Sequence, residues 1–171
     1  KLMIWSLDNK NLSRSYDVSF GDSILGIKSI SEKTAVIYGN GDSMDYVNVQ
    51  TGSLIQTITL VNLTIKSVEL LPLTKVTLKE RIAVLYSDRV VRVYVLDPNS
   101  GVVSTSKLFT PVFPQFNNIL FARSFNIRNS TTNIASSIMA IVSDSNKKMV
   151  YFINEDTMTN VTSFSYTSEI R

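Results

Sequence analysis

Short apolar segments alternate with polar turns along the whole chain, and the pattern recurs in blocks. A complete block holds four such segments, and a tight polar turn joins the third segment to the fourth. The clearest copies of this turn are residues 49–54 (VQTGSL) and 96–102 (LDPNSGV), and looser copies are residues 7–12 and 153–157. The last apolar residues before the four turns are spaced 42, 47 and 57 residues apart: Leu7, Val49, Leu96 and Ile153.

This spacing predicts the architecture. A repeat of about 40 to 50 residues with four strands per repeat is typical of a β-propeller blade. The sequence therefore predicts an all-β fold with about three and a half four-stranded blades, as part of a larger ring. The predicted blocks are a half blade over residues 1–20 that supplies a third and a fourth strand, and full blades over residues 21–61, 62–110 and 111–171.

The alternation of apolar and polar residues places the strands inside each block. Residues 134–142 could also form a helix, but their β-branched residues favour a strand. Residues 127–133, rich in Ser, Thr and Asn, are predicted as a loop, and the glycines of the turn at residues 39–42 are expected to supply positive φ angles. The predicted strands cover residues 1–7, 12–18, 24–30, 34–38, 43–49, 53–60, 65–73, 81–86, 89–96, 102–109, 119–126, 136–142, 147–153 and 161–166.

The predicted half blade implies that the protein depends on additional polypeptide to complete that blade. Its two strands, over residues 1–7 and 12–18, have no partners for a complete blade, and unpaired strand edges promote association. The chain begins at Lys1 within a strand-like run and is interpreted as part of something longer. Alone, the 171 residues are expected to be insoluble or to associate.

The amino-acid composition limits the kinds of catalysis and ligand binding expected of this protein. The chain contains neither histidine nor cysteine, so it lacks the commonest general base, the commonest metal ligand and any thiolate. Since no nucleophile or paired-carboxylate arrangement stands out, the protein is predicted not to be an enzyme and to need no cofactor or metal. The net charge of +3 is spread thinly rather than clustered, so nucleic-acid binding is not expected.

The glycine-rich segment Gly39-Asn40-Gly41-Asp42 resembles a phosphate loop only superficially. A phosphate loop leads into a helix, whereas the following residues predict a strand, so a hairpin turn is the better interpretation. Asp42 and Asp45 are too few oxygen ligands for calcium and are expected to be solvated turn carboxylates.

Four Asn-x-Ser/Thr sequons occur, at Asn11, Asn62, Asn129 and Asn160. They accept glycan only in a secretory compartment. A chain with about 14 Asn, in which roughly a fifth of the residues are Ser or Thr, contains about three sequons by chance. The sequons therefore favour a luminal location only slightly.

Aromatic residues suggest a contact surface. Phe113, Pro114 and Phe116 lie in the predicted connection between the last two blades, where an exposed apolar loop would dock a protein partner. The alternative, which the residue pattern favours, is packing between blades. Trp5 is predicted to be buried between blades.

The chain also resembles known propeller families. Residues 2–8 (LMIWSLD) look like the third strand of a WD40 repeat, although Gly-His and Trp-Asp pairs are lacking. Residues 47–55 (VNVQTGSLI) resemble the turn between strands in quinoprotein-like propellers. The order of turns over residues 35–104 is similar to the N-terminal propeller of the largest subunit of the endoplasmic-reticulum membrane protein complex.

These resemblances imply a scaffold that binds other protein subunits. The last one implies a structural domain in the endoplasmic-reticulum lumen, within a complex that inserts membrane proteins and through which any membrane contact would be made. Two alternatives remain open. One is an intracellular WD40-like scaffold of a trafficking, nuclear-pore or ribosome-assembly complex, in the cytoplasm or nucleus. The other is a ligand-binding or enzymatic propeller with a site in its central channel.

Overall fold

All regular structure in the described residues is β-strand. The computed structural model describes residues 1–5, 10–71, 80–97, 104–109, 119–128, 131, 135–143, 146–154 and 159–165. Within these ranges fourteen strands form one two-stranded sheet and three four-stranded sheets, and no helix occurs. The predicted all-β class is therefore confirmed.

Each four-stranded sheet is an antiparallel meander of consecutive strands. Valine, isoleucine, tyrosine and threonine, which suit a pleated and half-buried surface, are frequent in these strands. The two-stranded sheet contains β1 (Leu2–Trp5) and β2 (Leu12–Tyr16). The first four-stranded sheet contains β3 (Ile24–Ser29), β4 (Thr34–Gly39), β5 (Ser43–Asn48) and β6 (Ser53–Thr59). The second contains β7 (Ile65–Leu71), β8 (Glu80–Tyr86), β9 (Val91–Leu96) and β10 (Ser104–Phe109). The third contains β11 (Ile119–Arg128), β12 (Ala135–Ser143), β13 (Asn146–Asn154) and β14 (Thr159–Ser165).

The repeat positions identified in the sequence lie at the end of the third strand of each four-stranded sheet. Leu96 ends β9, Ile153 is the next-to-last residue of β13, and Val49 directly follows β5. Val49 still belongs to the ladder, because its N–H donates to the carbonyl of Lys33 at 2.8 Å. Each of the three positions therefore lies within one residue of the end of a third strand, as the repeat predicted, while the block boundaries themselves stay predictions.

Strands β11 and β12 differ in part from what the sequence predicted. β12 is a strand, so the helical alternative for residues 134–142 is wrong. β11 continues through Ile127 and Arg128, which were predicted to begin a loop. Their backbones pair with Ser136 and Ala135 of β12, so ladder hydrogen bonding extends the strand into a polar sequence.

The chain divides into two compact units, and each has its own core. The first unit contains residues 1–65 and 97–103, and the second contains residues 66–96 and 104–171. In the first unit, Tyr16 of β2 packs with three buried residues of the first four-stranded sheet: Ala35, Ile37 and Val47. Leu2, Val18, Phe20, Ile24 and Val49 surround this cluster. The two-stranded sheet is therefore held against one face of its neighbour by apolar contact.

The core of the second unit joins two complete sheets. It contains Leu71, Ala83, Leu85, Val91 and Val93 from strands β7 to β9, and Met139, Ile141, Tyr151 and Ile153 from β12 and β13. Every member of this cluster is at most 4% exposed. The two sheets thus share a buried apolar layer, which in the second four-stranded sheet extends from its first strand to its third.

The glycines at residues 39–42 serve close packing and not the positive φ expected from the sequence. Among the described glycines only Gly52 has a positive φ, of 70°. A Cβ at Gly39 would lie 2.8 Å from the carbonyl oxygen of Ser23 and 2.9 Å from the ring of Phe20. A Cβ at Gly41 would collide with the carboxylate of Asp22. The turn therefore needs glycine because the segment before β3 passes directly against it.

The turn between β8 and β9 has the geometry of a three-residue hairpin loop. The N–H of Arg89 donates to the carbonyl of Tyr86 at 2.9 Å, and the N–H of Tyr86 donates to the carbonyl of Val90 at 3.3 Å. Arg89 has a φ of 63°, in the left-handed region that glycine normally occupies at this loop position. The strands predicted from the sequence leave a turn of Ser87 and Asp88 alone, whereas the observed loop also includes the left-handed Arg89.

Replacing Arg89 by glycine is expected to stabilise the protein by about 0.5–1 kcal/mol, because a left-handed residue with a Cβ is strained. The measurement is the free energy of unfolding in urea at a submicromolar chain concentration that suppresses association. Ser87→Gly is the control in the same loop. Ser87 has no positive φ, so glycine there should destabilise by about 0.5–1 kcal/mol. Equal effects of the two substitutions would contradict the strain at Arg89.

Candidate functional site

One polar cluster in the described residues is centred on the carboxylate of Asp45. It lies on β5 and is completely buried. One oxygen, Oδ2, accepts the hydroxyl proton of Tyr16 at 2.9 Å and the backbone N–H of Ser19 at 2.6 Å. The other oxygen, Oδ1, accepts hydrogen bonds from the hydroxyls of Ser19 and Thr57, the latter at 2.9 Å. A carboxylate that accepts this many donors is well compensated for its loss of water.

The Asp45 network joins separate strands of the first unit. Tyr16 ends β2, Ser19 lies in the segment that follows it, and Thr57 lies opposite Asp45 on β6. Burial raises the pKa of Tyr16 well above its ordinary value, and the hydrogen bond to Asp45 raises it further. Tyr16 therefore stays protonated and donates to Asp45 throughout the physiological pH range. The network fixes the two-stranded sheet to the first four-stranded sheet.

The prediction that Asp45 is a solvated turn carboxylate is wrong. Asp45 stands two residues inside β5, opposite Ile37 on β4, and its side chain lies on the face that the two-stranded sheet covers. A signal for this was present in the sequence, because a charged residue interrupts an apolar strand between Met44 and Tyr46. Its partners, Tyr16 and Ser19, are distant in sequence and could not be identified from local pattern.

The free face of the two-stranded sheet carries large apolar side chains that are exposed. Met3 is 56% exposed, Trp5 55% and Leu12 48%. Leu12 lies opposite Trp5 in the register, so both side chains lie on the same face. The burial predicted for Trp5 is therefore wrong, because no described residue covers this face. Clustered exposed apolar groups of this kind mark surfaces that bind other proteins.

A second polar cluster lies at the turn between β8 and β9. Arg92 binds both carboxylate oxygens of Asp88, with Nη1 to Oδ1 at 3.0 Å and Nη2 to Oδ2 at 2.6 Å. Its guanidinium also lies 5.0 Å from the centre of the Tyr86 ring. The hydroxyls of Tyr86 and Tyr94 are 2.7 Å apart. The cluster satisfies its own hydrogen bonds and stabilises the hairpin.

The titration behaviour of this cluster does not suit proton transfer. The hydrogen bond from Arg92 holds the pKa of Asp88 below its ordinary value. Burial raises the pKa of Tyr86 and of Tyr94 above the ordinary tyrosine value. A general acid or base works best with a pKa near the operating pH, and all three groups are shifted away from neutrality. These shifts keep Asp88 ionised and both tyrosines protonated near neutral pH, so the hydrogen bonds of the cluster persist there.

The residues predicted as glycan acceptors have different surroundings. Asn11 directly precedes β2 and is exposed. Asn62 is exposed in the turn between β6 and β7 and has a φ of 67°. Asn160 lies within β14, where its backbone pairs with Ile153. Asn129 lies outside the described residues. The predicted partner contact at Phe113, Pro114 and Phe116 also lies outside them and stays a prediction.

Neither a metal centre nor a membrane-spanning helix is found in the described part of the chain. No three acidic, histidine or cysteine side chains there are grouped so that they could hold a metal ion. No helix of the length and apolarity needed to cross a bilayer occurs among the same residues. The glycine-rich turn leads into strand β5, as predicted for a hairpin and unlike a phosphate loop.

Comparison with known proteins assigns the fold. The chain is similar to the crystal structure of the Cps50 (Swd1) β-propeller domain of Myceliophteria thermophila, with a TM-score of 0.55 and 14% sequence identity. The similarity covers 85% of this chain and 44% of that one, so the chain spans less than half of the propeller domain it matches. No protein-family model and no curated protein sequence matches the chain. The chain therefore has a β-propeller fold, as the repeat predicted, and the similarity is one of fold alone.

Proposed function

We propose that the protein is a non-enzymatic β-propeller scaffold that binds other protein subunits in a multi-subunit complex. The observation that carries this proposal is the exposed apolar face formed by Met3, Trp5 and Leu12 on a propeller-type fold. A cluster of exposed apolar side chains marks a protein-interaction site or an aggregation liability, and a partner that covers it removes the liability.

The test is the size of the assembly that contains the protein in its own cells. Met3→Ser combined with Trp5→Ser should release the protein from that assembly. Leu54→Ser combined with Val61→Ser is the matched control, since Leu54 and Val61 are exposed apolar residues elsewhere in the first unit. A protein that sediments as a free monomer before any substitution would contradict the scaffold proposal.

We further propose that this scaffold is the luminal structural part of an endoplasmic-reticulum complex that inserts membrane proteins. Support comes from the resemblance of residues 35–104 and from the exposure of Asn11 and Asn62 within sequons. A glycan on either residue would extend into solvent without displacing core side chains. The competing location is the cytoplasm or nucleus, with an intracellular scaffold role.

Glycosylation separates the two locations. In eukaryotic cells the luminal protein is expected to carry glycan on Asn11 and Asn62, seen as a mass increase that a glycosidase removes. Ser13→Ala and Thr64→Ala should each remove one glycan, whereas Ser13→Thr and Thr64→Ser keep the sequons and should keep the glycans. An unmodified protein would favour the intracellular scaffold.

A further inference from the structure

The turn between β4 and β5 contains the one Asn-Gly dipeptide of the sequence, at Asn40 and Gly41. Asn40 is exposed and Gly41 is half-buried. The last backbone pair between the two strands joins Tyr38 to Met44, so the dipeptide lies beyond the ladder of β4 and β5. Water therefore reaches the side-chain amide of Asn40, and pairing between these two strands does not fix the backbone that follows it.

An asparagine followed by glycine can react with its own backbone. The nitrogen of Gly41 attacks Cγ of Asn40, a bond forms between these two atoms, and the bond from Cγ to Nδ2 breaks. The proton of the Gly41 N–H leaves with the side-chain nitrogen as ammonia, and a cyclic succinimide remains. Water then breaks either the new bond, which gives aspartate, or the original peptide bond, which gives isoaspartate. Glycine favours the attack because it has no Cβ to hinder the nitrogen.

Two other described asparagines lack this arrangement. Asn48 is followed by Val49 and Asn62 by Leu63, and these larger side chains hinder the attacking nitrogen. Oδ1 of Asn48 also accepts two backbone N–H groups of the turn that follows it, at 2.9 and 3.0 Å, which holds its side chain in place. These two residues therefore serve as internal controls for Asn40.

We propose that Asn40 is a site of spontaneous covalent modification, at which the folded protein converts asparagine to aspartate and isoaspartate through a succinimide formed with Gly41. Each product adds a negative charge close to two existing carboxylates. Asp22 lies against Gly41, and Asp42 is the next residue along the chain. This inference goes beyond the scaffold proposal and does not depend on it.

The isoaspartate product should weaken the attachment of this turn to the segment that follows β6. The carbonyl of Gly41 accepts the N–H of Ile65 at 2.8 Å, and the carbonyl of Asp42 accepts the N–H of Leu60 at 3.0 Å. Isoaspartate inserts one methylene group into the main chain directly before Gly41. Because the carboxylate of Asp22 already lies against Gly41, the turn cannot take up the extra atom without moving these carbonyl groups.

The rate of conversion tests the proposal. Purified protein at submicromolar concentration is incubated in neutral and mildly alkaline buffer, and peptide mapping by mass spectrometry separates asparagine, aspartate and isoaspartate at each position. A synthetic peptide of residues 36–46 supplies the rate for an unfolded chain. Asn40→Gln is the matched variant and should not convert, because its longer side chain would have to close a larger and less favourable ring.

Asn40 in the folded protein should convert at no less than about a tenth of the rate of the peptide, since little structure must open to allow the reaction. The rate should rise about tenfold per pH unit, because the deprotonated nitrogen is the nucleophile. Asn48 and Asn62 should stay unmodified over the same time. A rate below about a tenth of the peptide's rate would overturn the proposal. Conversion of Asn48 or Asn62 as fast as Asn40 would also overturn it, because the glycine would then not be the determinant.

Amide exchange of the isolated isoaspartate form tests the structural consequence. The N–H groups of Ile65 and Leu60 should exchange at least about tenfold faster than in the unmodified protein. The N–H of Val49, which donates to the carbonyl of Lys33 at the opposite end of β4 and β5, should be unchanged. Asn40→Asp adds the charge without the extra backbone atom and should leave Ile65 protected. Equal exchange at Ile65 in the isoaspartate form and the unmodified protein, or equally fast exchange in Asn40→Asp, would contradict the backbone effect.

Discussion

Replacing Asp45 by alanine is expected to lower the free energy of unfolding by about 3–5 kcal/mol, because it leaves several neutral donors without their acceptor and each buried donor left unpaired costs about 1–3 kcal/mol. The substitution leaves the hydroxyl of Tyr16 and the backbone N–H of Ser19 without the acceptor that they use at 2.9 and 2.6 Å. Because these donors belong to β2 and its following segment, the loss should loosen the two-stranded sheet first. The measurements are urea unfolding at submicromolar concentration and amide exchange over residues 12–19.

Two further substitutions make the Asp45 prediction specific. Asp45→Asn keeps one carbonyl oxygen for Tyr16 and Ser19, and its amide can donate to the hydroxyls of Ser19 and Thr57, which also act as acceptors. It should therefore cost only about 1–2 kcal/mol. Asp17→Ala is the control, because that carboxylate is 79% exposed and is paired with the exposed Lys1 at 3.5 Å. Exposed pairs contribute about 0–1 kcal/mol. Equal costs for Asp45→Ala and Asp17→Ala would contradict the structural role of the network.

Replacing Gly39 by alanine is expected to cost about 1–3 kcal/mol, because the added methyl group has no room. It would lie 2.8 Å from the backbone carbonyl of Ser23, and a backbone atom cannot move aside as a flexible side chain can. Relief of the collision requires the segment before β3 to shift away from the turn. Urea unfolding measures the effect.

Gly21→Ala is the matched control for Gly39, since it lies in the same segment. No heavy atom lies within 4 Å of a Cβ at Gly21, and its φ is not positive. Alanine there should be neutral or should stabilise by about 0.4–1 kcal/mol, because it restricts the unfolded chain. If Gly39→Ala were as harmless as Gly21→Ala, the close approach of Ser23 to the turn would be wrong.

The strands and their grouping could be predicted from the sequence because they depend on local pattern. Alternation of apolar and polar residues defines the strands, and turn residues such as those at 50–52 separate them. Each sheet consists of consecutive strands, so pairing follows chain order and needs no long-range information. This is why the repeat positions Val49, Leu96 and Ile153 were placed to within one residue.

Tertiary packing alone decided the roles of several individual residues. Asp45 looks like a turn carboxylate until Tyr16 and Ser19, 29 and 26 residues away, are brought to it. Glycine at position 39 suits a turn whether or not its missing Cβ matters. Only the carbonyl oxygen of Ser23, which would lie 2.8 Å from a Cβ there, shows that the space is needed. Trp5 has the pattern of a core residue but is exposed, because burial depends on whether a second layer covers the strand. Local pattern specifies which face of a strand is apolar, whereas only the assembled sheets determine what lies against that face.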